Sequence, residues 1–508
     1  MEYDVIIIGG GLGGLAAGAS LAKKGKHVLI VEQHTTVGGL AAGFSRKGYY
    51  FDAGMSRVNR MSLMSPLKDL GIFTDSDFAP HRSACNIEGH AFACNNLKDY
   101  FSHLAEVFAD DKPALIKLYD EQIKKRASLL EALMGGVSTS GRRASKLGIF
   151  LKIPVLMRDA SSKQDFNDVL ARYLDIHGKA YQFLCERWEE VNYRGHMNPF
   201  MRTAKIYTQM HNDYPLEGFQ GVCDKIAEYV TARGGEIATR TKALRIVVEE
   251  SKCTGVEIYR HGAAETLRAG SVISAVDLNK AFFSLIGEEH IPEQWVEKLR
   301  ESELAATIPI IYLGLNVPAE RLREEFLGGE ELMFYPKVKQ YGDCTEDAAY
   351  YRDAQMVIHS SSLVNPAHAP AGKSNVQVYL QHAPRGWLAN WGMMDGKKTE
   401  RYPEIKKMVV EQILASLAAV IPEVADRSII EVCELGTPYT IERFTGSTYG
   451  SACGFTMDGD KVNPRVRGKF FDSIPGISNL FFCGQQTAWM GAAGSALSSG
   501  VHMADLVK

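Results

Sequence analysis

The chain has 508 residues, of which 45% are hydrophobic and 23% charged, and its formal net charge is −3. A chain this long exceeds one hydrophobic core, and its composition is that of an ordinary globular protein, so at least two domains are expected. The small net charge excludes a bulk electrostatic nucleic-acid binder, and no apolar run approaches the roughly 20 residues that a membrane-spanning helix needs.

The cysteines and the first apolar run predict a cytoplasmic protein. The nine cysteines are scattered without a C-x-x-C pair, which argues against a zinc site and a disulfide framework and fits a reducing compartment. The fourteen histidines show no ligand spacing either, so no metal site is predicted. The first apolar run leads directly into glycines, and we interpret it as a strand rather than a secretory signal.

The first 32 residues predict a dinucleotide-binding unit of strand, glycine turn, helix and second strand. Tyr3–Ile8 is a β-branched apolar run typical of a buried parallel strand. Residues 15–24 have helical composition, and residues 27–31 predict a strand that ends at Glu32. The motif G-x-G-x-x-G lies between the first strand and the helix, at Gly9, Gly11 and Gly14.

Each position of this unit has a mechanical role. Gly9 permits the tight turn, Gly11 lets the backbone approach a pyrophosphate, and Gly14 lets helix and strand pack closely. The helix N-terminus offers N–H groups to the phosphates. Glu32 lies where a carboxylate accepts hydrogen bonds from a ribose diol.

A second glycine turn, Gly38-Gly39-Leu40, follows Glu32 after five residues. NAD has no need of it, whereas FAD is longer on its flavin side and needs a second close backbone approach. The run resembles the dinucleotide-binding motif of the amine-oxidase and phytoene-desaturase flavoproteins, in which Glu-x5-Gly-Gly follows the first glycine cluster. We therefore expect non-covalent FAD. FDAGMSRV (51–58) resembles the family strand that passes the reactive face of the flavin.

Residues 142–158 predict a contact with a membrane surface. Residues 132–158 contain no Asp or Glu; four cations flank the largely apolar run LGIFLKIPVLM (147–157), and a fifth, Lys152, lies within it. An apolar patch rimmed with cations is what an interfacial anchor requires. A core element of a substrate domain with solvated flanks is the alternative.

The middle of the chain supplies a second piece of the nucleotide site. Residues 214–235 combine a glycine turn with an amphipathic helix, similar to the family's P-x-G-G helix. Residues 236–277 predict a β-meander followed by a buried strand at 271–275. The resemblance implies that Ala243 holds the usual valine place beside the adenine ring.

The carboxy-terminal part supplies a third piece. NLFFCG (479–484) predicts a strand ending in glycine, and small residues at 491–496 predict a helix start that approaches the flavin. Many relatives have an acid after that glycine, where this chain has Gln485. A small-residue helix that packs on a sheet without binding flavin is the alternative.

Two further stretches resemble carotenoid isomerases and retinol saturases. GTPYTIERFTGSTYGSACGF (436–455) resembles their T-P-x-T-x-E-R-x-T stretch, and residues 360–384 resemble S-x-x-D-P-x-x-A-P-x-G-K with Asn365 in place of aspartate. Glu442 and Arg443 could supply a proton or stabilise a transient charge, or form a structural ion pair. Motif and resemblance together predict cofactor contacts at Gly9, Gly11, Leu12, Gly13, Gly14, Glu32, Gln33, Gly38, Gly39, Leu40, Met55, Ser56, Ala243, Gly484, Gln485, Ala492, Ala493 and Ala496.

The predicted fold is α/β, with a Rossmann-like FAD domain of the glutathione-reductase and amine-oxidase type and a second domain of mixed sheet and helices. The FAD domain is expected from residues 1–75, 214–285 and 430–508, and the substrate domain from 76–213 and 286–429. The resemblance implies a phytoene-desaturase, carotenoid-isomerase or retinol-saturase type of enzyme that acts on double bonds of an isoprenoid or polyene lipid.

Two other functions remain open from the sequence. A flavin amine oxidase shares the nucleotide domain and would want an aromatic cage, for which Trp489 is the candidate. A non-catalytic FAD-binding escort for prenylated partners is the other. Because only one nucleotide fingerprint is found, electrons are expected to pass through a transient donor or acceptor.

Overall fold

The computed structural model describes residues 2–93, 95–133, 162, 164–186, 198–210, 212–302, 304–305, 307–338, 351–380, 391–394, 397–455, 473–474, 476–487 and 492–507. The predicted membrane-contacting segment 142–158 and Trp489 lie outside these residues. Within them, no helix is both long and apolar enough to cross a membrane.

The described residues form strands and helices in a mixed order, with several runs of consecutive strands and one long run of consecutive helices. The strands are β1 (Tyr3–Ile8), β2 (Val28–Val31), β3 (Gly43–Arg46), β4 (Tyr49–Asp52), β5 (Phe78–His81), β6 (Ser83–Ile87), β7 (His90–Ala93), β8 (Asn212–Pro215), β9 (Glu236–Ala238), β10 (Lys242–Glu249), β11 (Lys252–Arg260), β12 (Ala263–Ser274), β13 (Ile310–Leu315), β14 (Glu331–Tyr335), β15 (Met356–His359), β16 (Ser374–Leu380), β17 (Met393–Met394), β18 (Lys397–Lys398), β19 (Ile430–Gly436) and β20 (Leu480–Phe482). The helices are α1 (Leu12–Lys23), α2 (Arg60–Met64), α3 (Leu97–Val107), α4 (Lys112–Leu118), α5 (Lys124–Leu133), α6 (Phe166–Leu170), α7 (Lys179–Glu186), α8 (Pro199–Met210), α9 (Gly218–Thr231), α10 (Leu278–Lys280), α11 (Glu293–Glu301), α12 (Ala319–Glu325), α13 (Tyr402–Leu417), α14 (Pro438–Thr445) and α15 (Ala493–Leu506).

The first sheet carries the predicted nucleotide-binding unit. Its strand order is β10-β11-β12-β1-β2-β9, with β20 also paired to β12. The strands β20, β12, β1, β2 and β9 run parallel, and β10, β11 and the first half of β12 form the antiparallel meander. The buried strand predicted at 271–275 is the second half of β12, which ends at Ser274 and pairs with β1 from Ala269 onward.

Helix α1 is the most enclosed element of this part. Every residue from Leu12 to Ala22 is buried, as expected of a helix that is apolar on all sides. It contacts both α9 and α15. A side chain at Gly500 of α15 would overlap the carbonyl oxygen of Gly13, so these two helices approach at backbone distance because both positions are glycine.

The second sheet has the order β19-β13-β16-β15-β14-β6-β7. One face packs against a helical layer that includes α3 to α8, and the other packs against α12 and α13. Strand β19 was predicted to belong to the nucleotide-binding part, whose third piece was placed at 430–508. It pairs instead with β13, because Val432 and Leu435 are buried in the two cores on either side of this sheet.

Candidate cofactor site

The first glycine turn joins β1 to α1 as the motif predicts. Gly9 adopts φ +101°, a conformation that favours glycine. A side chain at Gly14 would overlap the carbonyl oxygen of Gly9, whereas a Cβ at Gly11 would meet no protein atom within 4 Å. Gly11 is also the N-cap of α1 and offers no side-chain cap. The first N–H groups of α1 have no acceptor within the helix. They lie beside the open space at Gly11, which a phosphate can fill.

Glu32 is held at the carboxyl end of β2. Its side chain is buried, and its two oxygens accept hydrogen bonds from the backbone N–H of Gly10 at 2.8 Å and of His34 at 2.9 Å. A carboxylate has about four acceptor positions, so two remain for ribose hydroxyls. The backbone N–H of Thr241 donates to the Glu32 carbonyl oxygen at 2.8 Å. This bond brings the start of β10, and with it Ala243, to the end of β2.

The second glycine turn lies directly against the first. The backbone N–H of Gly38 donates to the carbonyl oxygen of Gly10 at 2.8 Å. Gly38 and Gly39 have φ values of +128° and +58°, and a Cβ on Gly39 would lie 3.5 Å from the Cα of Gly11. Leu40 follows, and its carbonyl oxygen would lie 2.7 Å from a Cβ at Gly54. The two turns thus form one continuous backbone surface.

The C-terminal piece joins this surface from the other side. A Cβ on Gly13 would lie 2.9 Å from the Cα of Gly484, which has φ +114°. Helix α15 has Ala492 as its N-cap, followed by Ala493, and Ala496 is buried one turn further. A Cβ on Gly494 would lie 2.5 Å from the carbonyl oxygen of Ser62. The small residues therefore let the start of α15 approach the backbone of α2, which contains Ser62.

Gln486 makes buried contacts directly after β20. Its side chain is 3% exposed, its Oε1 accepts from the backbone N–H of Leu278, and its Nε2 donates to Asp277 at 3.0 Å. Asp277 also accepts from the Thr448 hydroxyl at 2.6 Å. Gln486 thus joins the C-terminal strand to the start of α10, whereas the contact predicted for Gln485 stays a prediction.

Residues 52–57 bridge the two sheets. The backbone N–H of Ala53 donates to the Ala42 carbonyl oxygen at 2.8 Å. From the second sheet, the Tyr312 hydroxyl donates to the Ala53 carbonyl oxygen at 2.6 Å, and the Tyr379 hydroxyl donates to that of Met55 at 2.7 Å. Met55 and Ser56 therefore lie at the junction between the glycine turns and the second sheet.

The carboxyl group of Asp52 anchors this junction. It is fully buried and accepts hydrogen bonds from the hydroxyls of Tyr50 and Tyr214 and from the backbone N–H of Phe219. Burial raises the pKa of Asp52 to about 6, although the three hydrogen bonds act in the opposite direction. Two of these partners, Tyr214 and Phe219, lie far away in the sequence, so no local motif indicates this role for Asp52.

A second buried group, the polar cluster, consists of Ser56, Arg57, His81, Glu331 and His359. His81 Nε2 lies 3.1 Å from His359 Nδ1, Arg57 forms an ion pair with Glu331, and the Ser56 hydroxyl donates to Glu331 at 3.4 Å. Burial, assisted by the charge of Arg57, lowers the pKa of His359 to about 3 and lowers the pKa of His81 well below its ordinary value. The cluster thus combines one ion pair with two neutral imidazoles.

Three members of the polar cluster could hold a metal ion, although no pattern in the sequence predicts a metal site. One ligand atom from each of His81, Glu331 and His359 lies within 4.8 Å of the other two. Glu331 and His359 are register partners on β14 and β15, whereas His81 lies far away in the sequence, so no spacing motif could indicate the group. The guanidinium group of Arg57 opposes a dication here because like charges repel at short range.

Glu442 and Arg443 lie on α14, which contacts the turn at Gly39–Ala41. Glu442 is half-buried and Arg443 is exposed. Consecutive helical residues do not face each other, and no ion pair joins these two described residues. Nearby, a Cβ on Gly446 would lie 3.7 Å from the side-chain nitrogen of Gln33. The catalytic role of Glu442 and Arg443 stays a prediction.

The residues at this surface fit FAD. The cradle at Gly11 is open, the helix start suits a pyrophosphate, and the Glu32 carboxylate suits a ribose. The second turn and the start of α15 extend the surface beyond the first turn toward Met55.

Comparisons with known proteins place this geometry in context. A family model described as flavin containing amine oxidoreductase matches residues 12–508. The chain is 22% identical to the all-trans-retinol 13,14-reductase of Danio rerio, over 97% of this chain and 84% of the relative. It is 22% identical to the chloroplastic prolycopene isomerase of Daucus carota, over 88% and 72%. It is 24% identical to the 1-hydroxycarotenoid 3,4-desaturase of Flavobacterium sp. (strain P99-3), over 99% and 98%.

Solved structures share the fold at lower identity. Putrescine oxidase bound to putrescine superposes with a TM-score of 0.64 at 16% identity, over 100% of this chain and 99% of that one. Cyclohexylamine oxidase from Brevibacterium oxydans IH-35A gives 0.58 at 14% identity, over 100% and 99%. The predicted fold class is confirmed.

Proposed function

Because the chain belongs to the family of flavin-containing amine oxidoreductases and is an FAD-dependent oxidoreductase, we propose that it acts on carbon–carbon double bonds of an isoprenoid or other long polyene lipid. The observation that carries this proposal is sequence similarity over 88–99% of the chain to enzymes named for retinol, prolycopene and a hydroxycarotenoid. Saturation, desaturation and cis-trans isomerisation are the reactions that these names represent.

The second sheet places aromatic and apolar side chains next to residues 53–55. The core between this sheet and its helical layer includes Tyr312, Met333, Val357 and Tyr379. Two of these side chains, Tyr312 and Tyr379, also bind the backbone at residues 53–55. These contacts fix the chain beside the glycine turns against the second sheet.

The roles of the protein groups follow from their positions. Bound FAD supplies the hydride chemistry of the class. The glycine turns and Glu32 would hold its dinucleotide part without a covalent bond. Tyr312 and Tyr379 fix the backbone at residues 53–55 against the second sheet, so that Met55 and Ser56 keep one position at the flavin face. A transient donor or acceptor would exchange electrons with the enzyme.

Anaerobic mixing of the purified yellow protein with polyenes tests the proposal. All-trans-retinol and prolycopene are the probes, flavin absorbance reports electron transfer, and mass spectrometry identifies the product. A gain of two hydrogens means saturation, a loss of two means desaturation, and an unchanged mass with a changed retention time means isomerisation. The flavin should be tested both oxidised and chemically reduced beforehand. If no polyene then changes the flavin absorbance or forms a product, the proposal is contradicted.

A flavin amine oxidase is the second candidate, and the family description together with the putrescine and cyclohexylamine oxidase folds favours it. Primary amines and diamines would then bleach the flavin anaerobically and release hydrogen peroxide in air. A third outcome, bound flavin without turnover of any lipid or amine, would favour the escort function for prenylated partners.

A further inference from the structure

The polar cluster places the charged side chain of Arg57 just after Met55. A binding site for a pure hydrocarbon would need no charge at this position. Ser56 and Arg57 follow Met55 directly, and the Leu40 turn lies against Gly54 just before it. Burying an ion pair costs desolvation free energy that apolar packing would avoid. A charged group at this place therefore has a use that an apolar wall would not serve.

The part of the cluster that a ligand can touch is small. Glu331 and His359 are fully buried and His81 is 2% exposed, whereas the Arg57 side chain keeps 16% exposure and Ser56 is half-buried. Ser56 and Arg57 thus form the accessible front of the cluster, and the other three residues stand behind them.

The front presents one acceptor and one donor. An ionised carboxylate only accepts hydrogen bonds, so the Ser56 hydroxyl must donate its proton to Glu331, and its oxygen lone pairs remain as acceptors. A guanidinium group only donates. A hydroxyl group both donates and accepts, and it can therefore bond to Ser56 and Arg57 together.

Charge balance selects against ionic ligands. The ion pair between Arg57 and Glu331 is neutral as a unit. Because Glu331 already neutralises Arg57, an added carboxylate would bring a second negative charge to this unit, and an added dication would approach the positive charge of Arg57. An uncharged polar group adds neither penalty.

We propose that Ser56 and Arg57 form a subsite that binds a hydroxyl group of the substrate, and that the substrate is a hydroxylated polyene rather than a polyene hydrocarbon. This inference rests on the proposed function, because it assigns a substrate class to the same site. Glu331 acts as a positioning residue that holds Arg57 and orients the Ser56 hydroxyl.

Binding to the FAD-loaded protein tests the subsite. The probes are all-trans-retinol, the hydrocarbon in which hydrogen replaces its hydroxyl, and the corresponding carboxylic acid, each titrated anaerobically while flavin absorbance is followed. We expect the alcohol to bind about tenfold more tightly than the hydrocarbon, the ratio of one well-placed hydrogen bond, and the acid to bind more weakly than the alcohol.

Variants then assign the preference to residues. Ser56→Ala and Arg57→Met should each bring the alcohol-to-hydrocarbon ratio close to one, with the FAD content of each variant measured in the same samples. Arg46→Met is the matched control, because Arg46 forms an exposed ion pair with Glu434, and it should keep the parent ratio. Glu331→Gln should reduce the ratio with unchanged FAD content. If Arg57→Met fails to fold, the double variant Arg57→Met with Glu331→Gln removes both charges together.

The outcomes separate this inference from the proposed function. Equal affinity for alcohol and hydrocarbon in the parent protein, or a parent-like ratio in Ser56→Ala and the arginine variants, overturns the subsite and leaves the proposed function standing. One equivalent of bound zinc that Glu331→Gln loses also overturns it, because the cluster is then a metal site. If none of the three probes and prolycopene perturbs the flavin or forms a product, the proposed function itself is overturned.

Discussion

The backbone N–H of Gly38 donates to the carbonyl oxygen of Gly10 at 2.8 Å, and this bond joins the two glycine turns. It gives a physical reason for the spacing of Glu32 and the Gly-Gly pair. The chain leaves β2, turns at Glu32 and returns within five residues to lie beside the first turn. Both turns then present backbone to one elongated ligand.

Gly11→Val should yield a folded, colourless protein, whereas the parent should be yellow and release non-covalent FAD on denaturation. A Cβ at Gly11 meets no protein atom within 4 Å, so the valine side chain would occupy ligand space rather than disturb packing. Flavin absorbance and circular dichroism check this prediction. Gly14→Ala is the contrasting variant, because its methyl group would overlap the Gly9 carbonyl oxygen and should destabilise the fold. A yellow Gly11→Val protein would place the cofactor elsewhere.

Glu32→Ala should weaken FAD binding roughly ten- to a hundredfold. The loss corresponds to about 1–3 kcal/mol for ribose hydroxyls left without a partner. Glu32→Gln should lose less, because an amide oxygen still accepts. FAD titration of the apoprotein measures both, and Glu236→Ala, a change to an exposed carboxylate on β9, is the control. Unchanged affinity in Glu32→Ala would show that the ribose is bound by other groups.

Acid should destabilise the protein through His359. Its folded-state pKa is about 3 against an ordinary value of 6.5, so the unfolded chain binds the proton first. The free energy of unfolding is therefore highest above pH 6.5. It falls with pH, by about 2 kcal/mol between pH 6.5 and 5. Denaturant unfolding with excess FAD should therefore show a shallower pH dependence for His359→Asn than for the parent. His261→Asn, at an exposed turn, is the control, and parallel profiles for parent and His359→Asn would contradict the expectation.

Residues 142–158 lie outside the described part of the chain, so membrane contact stays a prediction. Each cation near an anionic surface contributes about 1 kcal/mol, and each buried Leu, Ile or Phe roughly 1.5–3 kcal/mol. Co-sedimentation with anionic vesicles should be salt-sensitive, and co-sedimentation with neutral vesicles should be weak.

The double variant Phe150→Ser with Leu151→Ser should reduce co-sedimentation with anionic vesicles while flavin content is kept. Ile176→Ser, at an exposed position, should not. A double variant that sediments like the parent, or that loses its flavin, would assign the segment to the core.

Local patterns explain which parts of the fold could be predicted from sequence. The turn at Gly9, the helix that follows it and Glu32 depend on contacts between residues close in the chain, and glycine spacing encodes them. The small residues before α15 are similarly readable, because a close helix approach requires them.

Long-range packing explains what could not be predicted. Asp52 receives its partners from Tyr214 and Phe219, and His81, at the end of β5, meets His359 at the end of β15. No spacing rule links such positions. Strand β19 has an ordinary apolar pattern that suits either sheet, and only its pairing with β13 assigns it.

The contact between Gly13 and Gly500 has a consequence for synthesis on the ribosome. Helix α1 is completed early in translation, yet one of its packing partners, α15, is among the last segments made. At about 5–20 residues per second, the newly made β1 and α1 wait roughly half a minute to a minute and a half for that partner. During this interval the apolar surface of α1 that packs against α15 is exposed. The nascent chain therefore depends on chaperones or on transient local packing, and FAD meets its complete site only after translation reaches α15.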